Sequence, residues 1–403
     1  MQTPQIAVDF RSHFPFFNHS NECYLDNAAT THICQAGLDA LNRYYQFEHA
    51  TVHRSVHNSA KQNTNRFELC RQTVADYFHL ADKKQVVWTK GATESANIIA
   101  QGLCKNYLQP GDQVLLGAGE HHAHHVTWLE MAKQYQLQLE FIPLDKNLQL
   151  DTTAFINLLS DKTKIVAISH VANSTGVIQP IEAISDICKT YPNCQLIIDG
   201  SQAVCHQPID FSKIAADYYF FSAHKMYAGT GLGVLLGTEQ SLSLLAAPLF
   251  GGEMVKRVSY TDVNYDSLPY YLEAGTPNIA AVHAFAATLR WLQTLDMPVL
   301  HKYQQQLLEY VKKSLQQFHY VNIIADNHVS ALSFTITGLH TADAAELLAQ
   351  MNVAIRTGFH CAMPLVKEIS QQGTLRISIA PYNTVAEIDY FIKCMQKLAD
   401  FID

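Results

Sequence analysis

Short apolar runs recur along this chain, and most of them stop at small or polar residues. Residues 85–89, 112–118, 139–144, 164–170, 195–199 and 217–222 are each long enough for one buried strand. Between them, stretches such as 60–80 and 181–191 carry a helical pattern. Strands that alternate with helices build a mainly parallel sheet covered on both faces. Ligands of such sheets bind just past the carboxyl ends of the strands. The polar residues of this chain collect there, and no internal repeat or low-complexity segment interrupts the pattern.

Two of these runs carry chemistry. Asp217-Tyr-Tyr-Phe-Phe-Ser222-Ala-His224-Lys225 brings a lysine to the end of an apolar strand, and a glycine-rich turn follows. Burying an ammonium without a partner is costly. A desolvated lysine has a lowered pKa, becomes a nucleophile and can form a Schiff base with a carbonyl. Ser222, His224 and the backbone of the glycines can hold a phosphate beside it. Upstream, Gln195-Leu-Ile-Ile-Asp199-Gly-Ser-Gln202 ends a second run in a carboxylate. Pyridoxal phosphate (PLP) needs this combination: a lysine to attach to, an anchored dianion, and a buried carboxylate that keeps its pyridine nitrogen protonated. Gln202 can hydrogen-bond the ring's phenolic oxygen. Taken alone, Lys225 also reads as a loop lysine after an ordinary strand.

Other stretches fit the same chemistry. Lys90-Gly91-Ala92-Thr93-Glu94 follows a strand and opens a helix, whose free N–H groups attract an anion. Thr93 adds a hydroxyl there. Glu120-His121-His122-Ala-His124-His125 suggests a metal site, but no cysteine or second acidic or histidine cluster at metal-ligand spacing accompanies it. No metal is expected. Asn173, past the run 164–170, reads as a turn residue or as a contact to substrate or cofactor. Cys361 has His360 beside it and Arg356 nearby, a positive setting that favours thiolate. Arg376 interrupts an apolar run, and a buried arginine needs an anion; a substrate α-carboxylate is the candidate.

Composition sets the outer bounds. The chain has 403 residues, 48% of them hydrophobic and 16% charged, enough for a large core and two domains. Its net charge of −8 argues against nucleic acid as a partner. The N-terminus does not read as a signal peptide, and no apolar run approaches the length of a membrane span. Nine cysteines without a CxxC pair point to a reducing cytoplasm.

These motifs, in this order, resemble the fold-type I PLP enzymes, and within them the class V aminotransferase family that contains the cysteine desulfurases. Tyr24-Leu-Asp26-Asn27-Ala28-Ala29-Thr30 is similar to the family's YLDxAAT segment, which implies that Ala28 lies beside the substrate. Lys90-Gly-Ala-Thr93-Glu resembles its phosphate segment, with Ala92 replacing a threonine. Glu120-His121-His122-Ala resembles the group II desulfurase motif, in which the first histidine stacks on the pyridine ring and shuttles protons near neutral pH. His124 stands where an asparagine is usual. Glu273-Ala-Gly-Thr276-Pro-Asn278 is similar to the segment whose threonine reaches the PLP phosphate of the neighbouring subunit, implying a homodimer. Arg356-Thr-Gly-Phe-His360-Cys361-Ala resembles the group II catalytic-cysteine signature, and Ala380-Pro-Tyr-Asn383-Thr points to the CsdA branch.

The resemblance implies a seven-stranded, mainly parallel sheet in a large domain and a smaller α/β C-terminal domain. An N-terminal arm at 1–20, a PLP domain at 21–289 and a C-terminal domain at 290–403 carrying Cys361 are expected. The implied reaction removes sulfur from L-cysteine, gives L-alanine and leaves a persulfide on Cys361. Lys225, Cys361 and His121 would be catalytic. Thr93, His121, Asn173, Asp199, Gln202, Ser222, His224, Lys225 and Thr276 would hold PLP. Ala28, Asn173, Arg356 and Arg376 would hold substrate. Sulfur would pass to a SufE- or CsdE-like acceptor protein, for iron–sulfur cluster assembly or for thiolation of tRNA or a cofactor. Selenocysteine lyase, another PLP enzyme of this fold, and a non-catalytic PLP-binding scaffold are the rival readings.

Overall fold

The computed structural model describes residues 2–402. Its centre is a seven-stranded sheet of β1 (Val86–Thr89), β2 (Gln113–Gly117), β3 (Gln138–Ile142), β4 (Thr163–Ser169), β5 (Gln195–Asp199), β6 (Tyr218–Ser222) and β7 (Gly233–Gly237), ordered β1-β7-β6-β5-β4-β2-β3. All neighbours are parallel except β7, which runs antiparallel to both β1 and β6. Every residue of β1, β2, β5, β6 and β7 is buried. That is why these strands read as continuous apolar runs and not as alternating ones. The helices α1 (Ala92–Asn106), α2 (His122–Tyr135) and α3 (Ile279–Leu292) pack around this sheet.

The glycine-rich turn expected after Lys225 leads into β7, a strand that the apolar runs of the sequence do not include. Its close fit depends on Gly233: a Cβ there would lie 2.5 Å from Gly91 Cα. The missing side chain lets the Gly91 turn, and the helix it opens, sit directly against β7.

The helix α4 (Met297–Leu315) leaves this body. Leu300 belongs to the large core, whereas Leu307, Val311 and Leu315 belong to a second one. That second core lies under an antiparallel sheet of β8 (Val321–Ile324), β9 (Ala331–Ile336), β10 (Arg356–Gly358) and β11 (Thr374–Ser378), ordered β8-β9-β11-β10. The helices α5 (Thr341–Gln350) and α6 (Val385–Leu398) cover it. The N-terminal segment spans both cores. Ala7, Cys23 and Leu25 pack in the smaller one, while Phe10 and Phe14 pack in the larger. Among the described residues, no helix is long and apolar enough to cross a membrane.

Candidate active site

The parallel strands end on one edge, and their following turns enclose a cavity of about 220 Å³. Lys225, Asp199, His121 and Cys361 all line it. So do Thr93, Asn173, Gln202, Ser222, His224 and Arg356. They come from several turns far apart in the chain, which is how an open sheet gathers distant residues.

Lys225 lies just beyond β6, and its Nζ donates to Ala28 O at 2.7 Å. Its exposed surface faces the cavity. Burial and the nearby Arg376 guanidinium pull its pKa down to about 8, with Asp199 opposing them. Roughly a tenth of it is therefore the neutral nucleophile at pH 7. Gln202 Nε2 also donates to Ala28 O, at 2.8 Å. Ala28 itself is buried behind the lining, where Ala29 takes its place, and its carbonyl holds two cavity residues. Asp199 is buried, and its Oδ1 accepts from the Ser201 N–H at 2.8 Å.

Opposite, the Ala92 N–H donates to Ser222 Oγ at 2.8 Å, and Thr93 follows in the first turn of α1. The His224 ring meets Thr30 Oγ1 at 3.1 Å, and burial lowers its pKa to about 4.

His121 caps α2, with its Nδ1 accepting from the Ala123 N–H at 3.0 Å. The ring proton therefore sits on Nε2. Burial pushes its pKa to about 4, although Asp199 resists. At pH 7 the imidazole is therefore neutral.

The Cys361 loop comes from the smaller sheet. His360 and Cys361 both adopt left-handed backbone angles, φ 48° and 57°. Side chains rarely occupy that region without being held. Here the holding is visible: His122 N–H donates to Cys361 O at 2.7 Å, Met363 N–H donates to His122 Nε2 at 3.2 Å, and the Asn173 amide donates to His360 O. Arg356 Nη2 is 3.7 Å from Cys361 Sγ. The His360 ring instead bonds Thr374 Oγ1 at 2.9 Å, and burial lowers its pKa to about 3. The guanidinium beside the thiol is that of Arg356, with Arg376 also near enough to act on it, whereas His360 is turned to Thr374 and neutral.

Arg376 is 1% exposed and donates to Asn173 O at 2.7 Å and to Asp26 Oδ1 at 3.1 Å, while its Nε is unpartnered. Burial lowers its pKa to about 10, against the pull of Asp26. Thr276 lies elsewhere, in an open groove with Lys90, Gly231 and Asn278. Glu273 of the same segment does a job the sequence did not reveal. It takes two hydrogen bonds from the buried Arg71, at 2.6 and 2.9 Å, and one from the Trp88 N–H at 2.7 Å. His53 and Arg54 face Glu68 and Glu253, outside the cavity.

The histidines 121–125 do not converge. His122 accepts from Met363, His124 is buried, and His125 packs on Phe141. Among the described residues, no three His, Cys, Asp or Glu side chains gather as metal ligands. The donor set fits PLP instead. It offers an amine of lowered pKa, a buried carboxylate, and a helix N-terminus with hydroxyls beside it. Two buried polar atoms next to the cavity, Asn173 Oδ1 and Ser201 Oγ, also lack hydrogen-bond partners.

The aminotransferase class-V family model matches residues 23–391. A probable cysteine desulfurase of Haemophilus influenzae is 38% identical over 97% of this chain and 89% of its own length. The crystal structure of the cysteine desulfurase CsdA from Escherichia coli superposes with a TM-score of 0.92 at 33% identity, covering 98% of this chain and 99% of that one. A cysteine desulfurase from Thermococcus onnurineus NA1 superposes with a TM-score of 0.94 at 30% identity over the full length of both chains. With its open sheet, its lysine–aspartate pair and these full-length matches, the chain belongs to the class-V aminotransferase family.

Proposed function

We propose that this protein is a PLP-dependent cysteine desulfurase. The observation that carries the reading is the meeting of Lys225, Asp199, His121 and Cys361 on one cavity. The names of its full-length relatives support it. PLP, when bound, supplies a ring that accepts electrons from the substrate α-carbon. Asp199 would face its ring nitrogen and Gln202 its phenolic oxygen. His121 would lie over the ring. Thr93, Ser222 and His224 would hold its phosphate, and Lys225 would attach it.

The remaining steps belong to the chain's own groups. Arg376, with Arg356 and Asn173, orients the substrate carboxylate. Lys225 Nζ or the His121 imidazole takes and returns the α-proton. Cys361 Sγ attacks the substrate sulfur, so that the S–S bond forms as the C–S bond breaks. L-cysteine and the Cys361 thiol become L-alanine and a persulfide, with atoms and electrons balanced. An acceptor protein with its own cysteine, of the SufE or CsdE kind, takes the sulfur onward, in the cytoplasm.

Two units meeting near residue 290 serve this chemistry: the larger carries Lys225, and the smaller carries Cys361. The packing of Ala7, Cys23 and Leu25 supports assigning the N-terminal segment partly to the smaller one. A homodimer would let Thr276 of each copy reach the other's cofactor, and its position outside its own chain's cavity supports that reading.

The test is incubation with L-cysteine and a reductant, measuring alanine and sulfide together. Equal yields are expected. Cys361→Ser should keep the cofactor and release almost no sulfide; wild-type sulfide from that variant would rule the mechanism out.

A further inference from the structure

We infer that Glu120 and His124 act as a positioning pair that holds His121 in line with Asp199. The inference rests on the reading of His121 and Asp199 as the residues that meet the cofactor.

Glu120 directly precedes His121, yet it turns inward and is 3% exposed. Its Oε1 accepts from the Ser169 N–H at 2.8 Å, and its Oε2 accepts from the Ser169 hydroxyl. The inward turn needs Gly117, where a Cβ would lie 2.5 Å from Glu120 Oε1. His124 lies one turn along α2 and is 1% exposed. Its Nδ1 is 3.3 Å from Glu120 Oε2, off the line of a hydrogen bond, and neither ring nitrogen has a hydrogen-bond partner. The ring meets Phe220 edge-on, with centroids 5.0 Å apart.

The strand register gives these contacts their meaning. Ser169 on β4 and Phe220 on β6 are the two residues paired with Asp199 across the sheet. Glu120 therefore grips one flank of Asp199, and His124 packs on the other. Both are rigidly connected to His121, through the backbone and through the first turn of α2. A buried carboxylate needs offsetting groups: Ser169 supplies two donors, and the His124 imidazole packs at 3.3 Å beside them. The pair ties the loop that presents His121 to the two strands that bracket Asp199. Groups that orient contact residues in this way typically change activity on the order of 10- to 100-fold when lost.

The test uses the PLP-loaded enzyme, with kcat, KM for L-cysteine, cofactor content, thermal midpoint and the visible circular dichroism of the bound cofactor as readouts. That dichroism follows how asymmetrically the ring is held and does not depend on turnover. His124→Leu should lower kcat on the order of 10- to 100-fold, leave KM within about threefold, and change the dichroism. His124→Asn, which keeps a hydrogen-bond donor, should restore most of both. The double variant Glu120→Gln/His124→Leu should be less impaired than His124→Leu alone, because removing both partners costs less than stranding one. A lower thermal midpoint with kcat and dichroism unchanged overturns the proposal and makes the pair merely structural. So do purely multiplicative single effects. His121→Ala separates the two levels. If it keeps wild-type kcat, the underlying site reading fails and takes this one with it. If it is inactive while His124→Leu and Glu120→Gln behave as wild type, only the positioning pair is wrong.

Discussion

At the scale of single residues, the site turns on how far burial moves each group from its ordinary state. Lys225 is the clearest case. With its pKa drawn down to about 8, its neutral fraction grows with pH only up to that value. Covalent capture of PLP by the cofactor-free protein should therefore speed up about tenfold per pH unit below 8 and level off above it. A rate still climbing at pH 10 would mean that the amine is an ordinary one. Lys225→Ala should leave no residue that borohydride can fix to the cofactor. Arg376 makes a different prediction. It is buried with one unpartnered nitrogen, so Arg376→Ala should raise KM for cysteine by at least 10-fold with cofactor content unchanged, as expected for a lost charge-assisted pair. An unchanged KM would transfer that role to Arg356. Lys225 and Asp199 stood out in the sequence because each closes an apolar run, where an ionisable group is conspicuous, whereas Cys361 stood out only through the residues around it. The neutrality of His360 and His121 was not legible, since it depends on burial by segments distant in the chain.

At the scale of elements, the sheet edge was legible and its antiparallel member was not. β7 is five residues that begin and end in glycine, too short to show a period, and only its pairing with β1 and β6 assigns it. The same holds for Arg71 and Glu273, which are 202 positions apart. Their pair is buried and bidentate, so truncating one side strands the other. Glu273→Ala should cost about 3–5 kcal/mol of stability, read as a lower denaturant midpoint. Replacing both residues with apolar ones should cost less than either single change. A Glu273→Ala loss below about 0.5 kcal/mol would show that the pair behaves as a surface contact.

At the scale of the whole molecule, the chain divides its chemistry between two cores. The lysine follows a strand of the mainly parallel sheet and the thiol a strand of the antiparallel one. Sedimentation should find a dimer, and Thr276→Ala should weaken PLP retention in it; a monomer with full cofactor occupancy would exclude the shared site. The expectation of a two-part architecture came from the chain's length and from the family resemblance. The straddling helix α4 was not legible, because nothing in its own apolar stripe marks where one core gives way to the other.

The left-handed pair His360–Cys361 has a further consequence in time. Its backbone is fastened to His122 and Asn173, residues of the opposite body. The two cores therefore cannot drift apart without first releasing the thiol's own peptide. The His122 amide becomes a clock for that release. In hydrogen–deuterium exchange it should open no faster than the strand amides around Asp199. A His122 amide that exchanges within seconds would mean that the thiol swings freely, and that the enzyme carries its sulfur outward on its own.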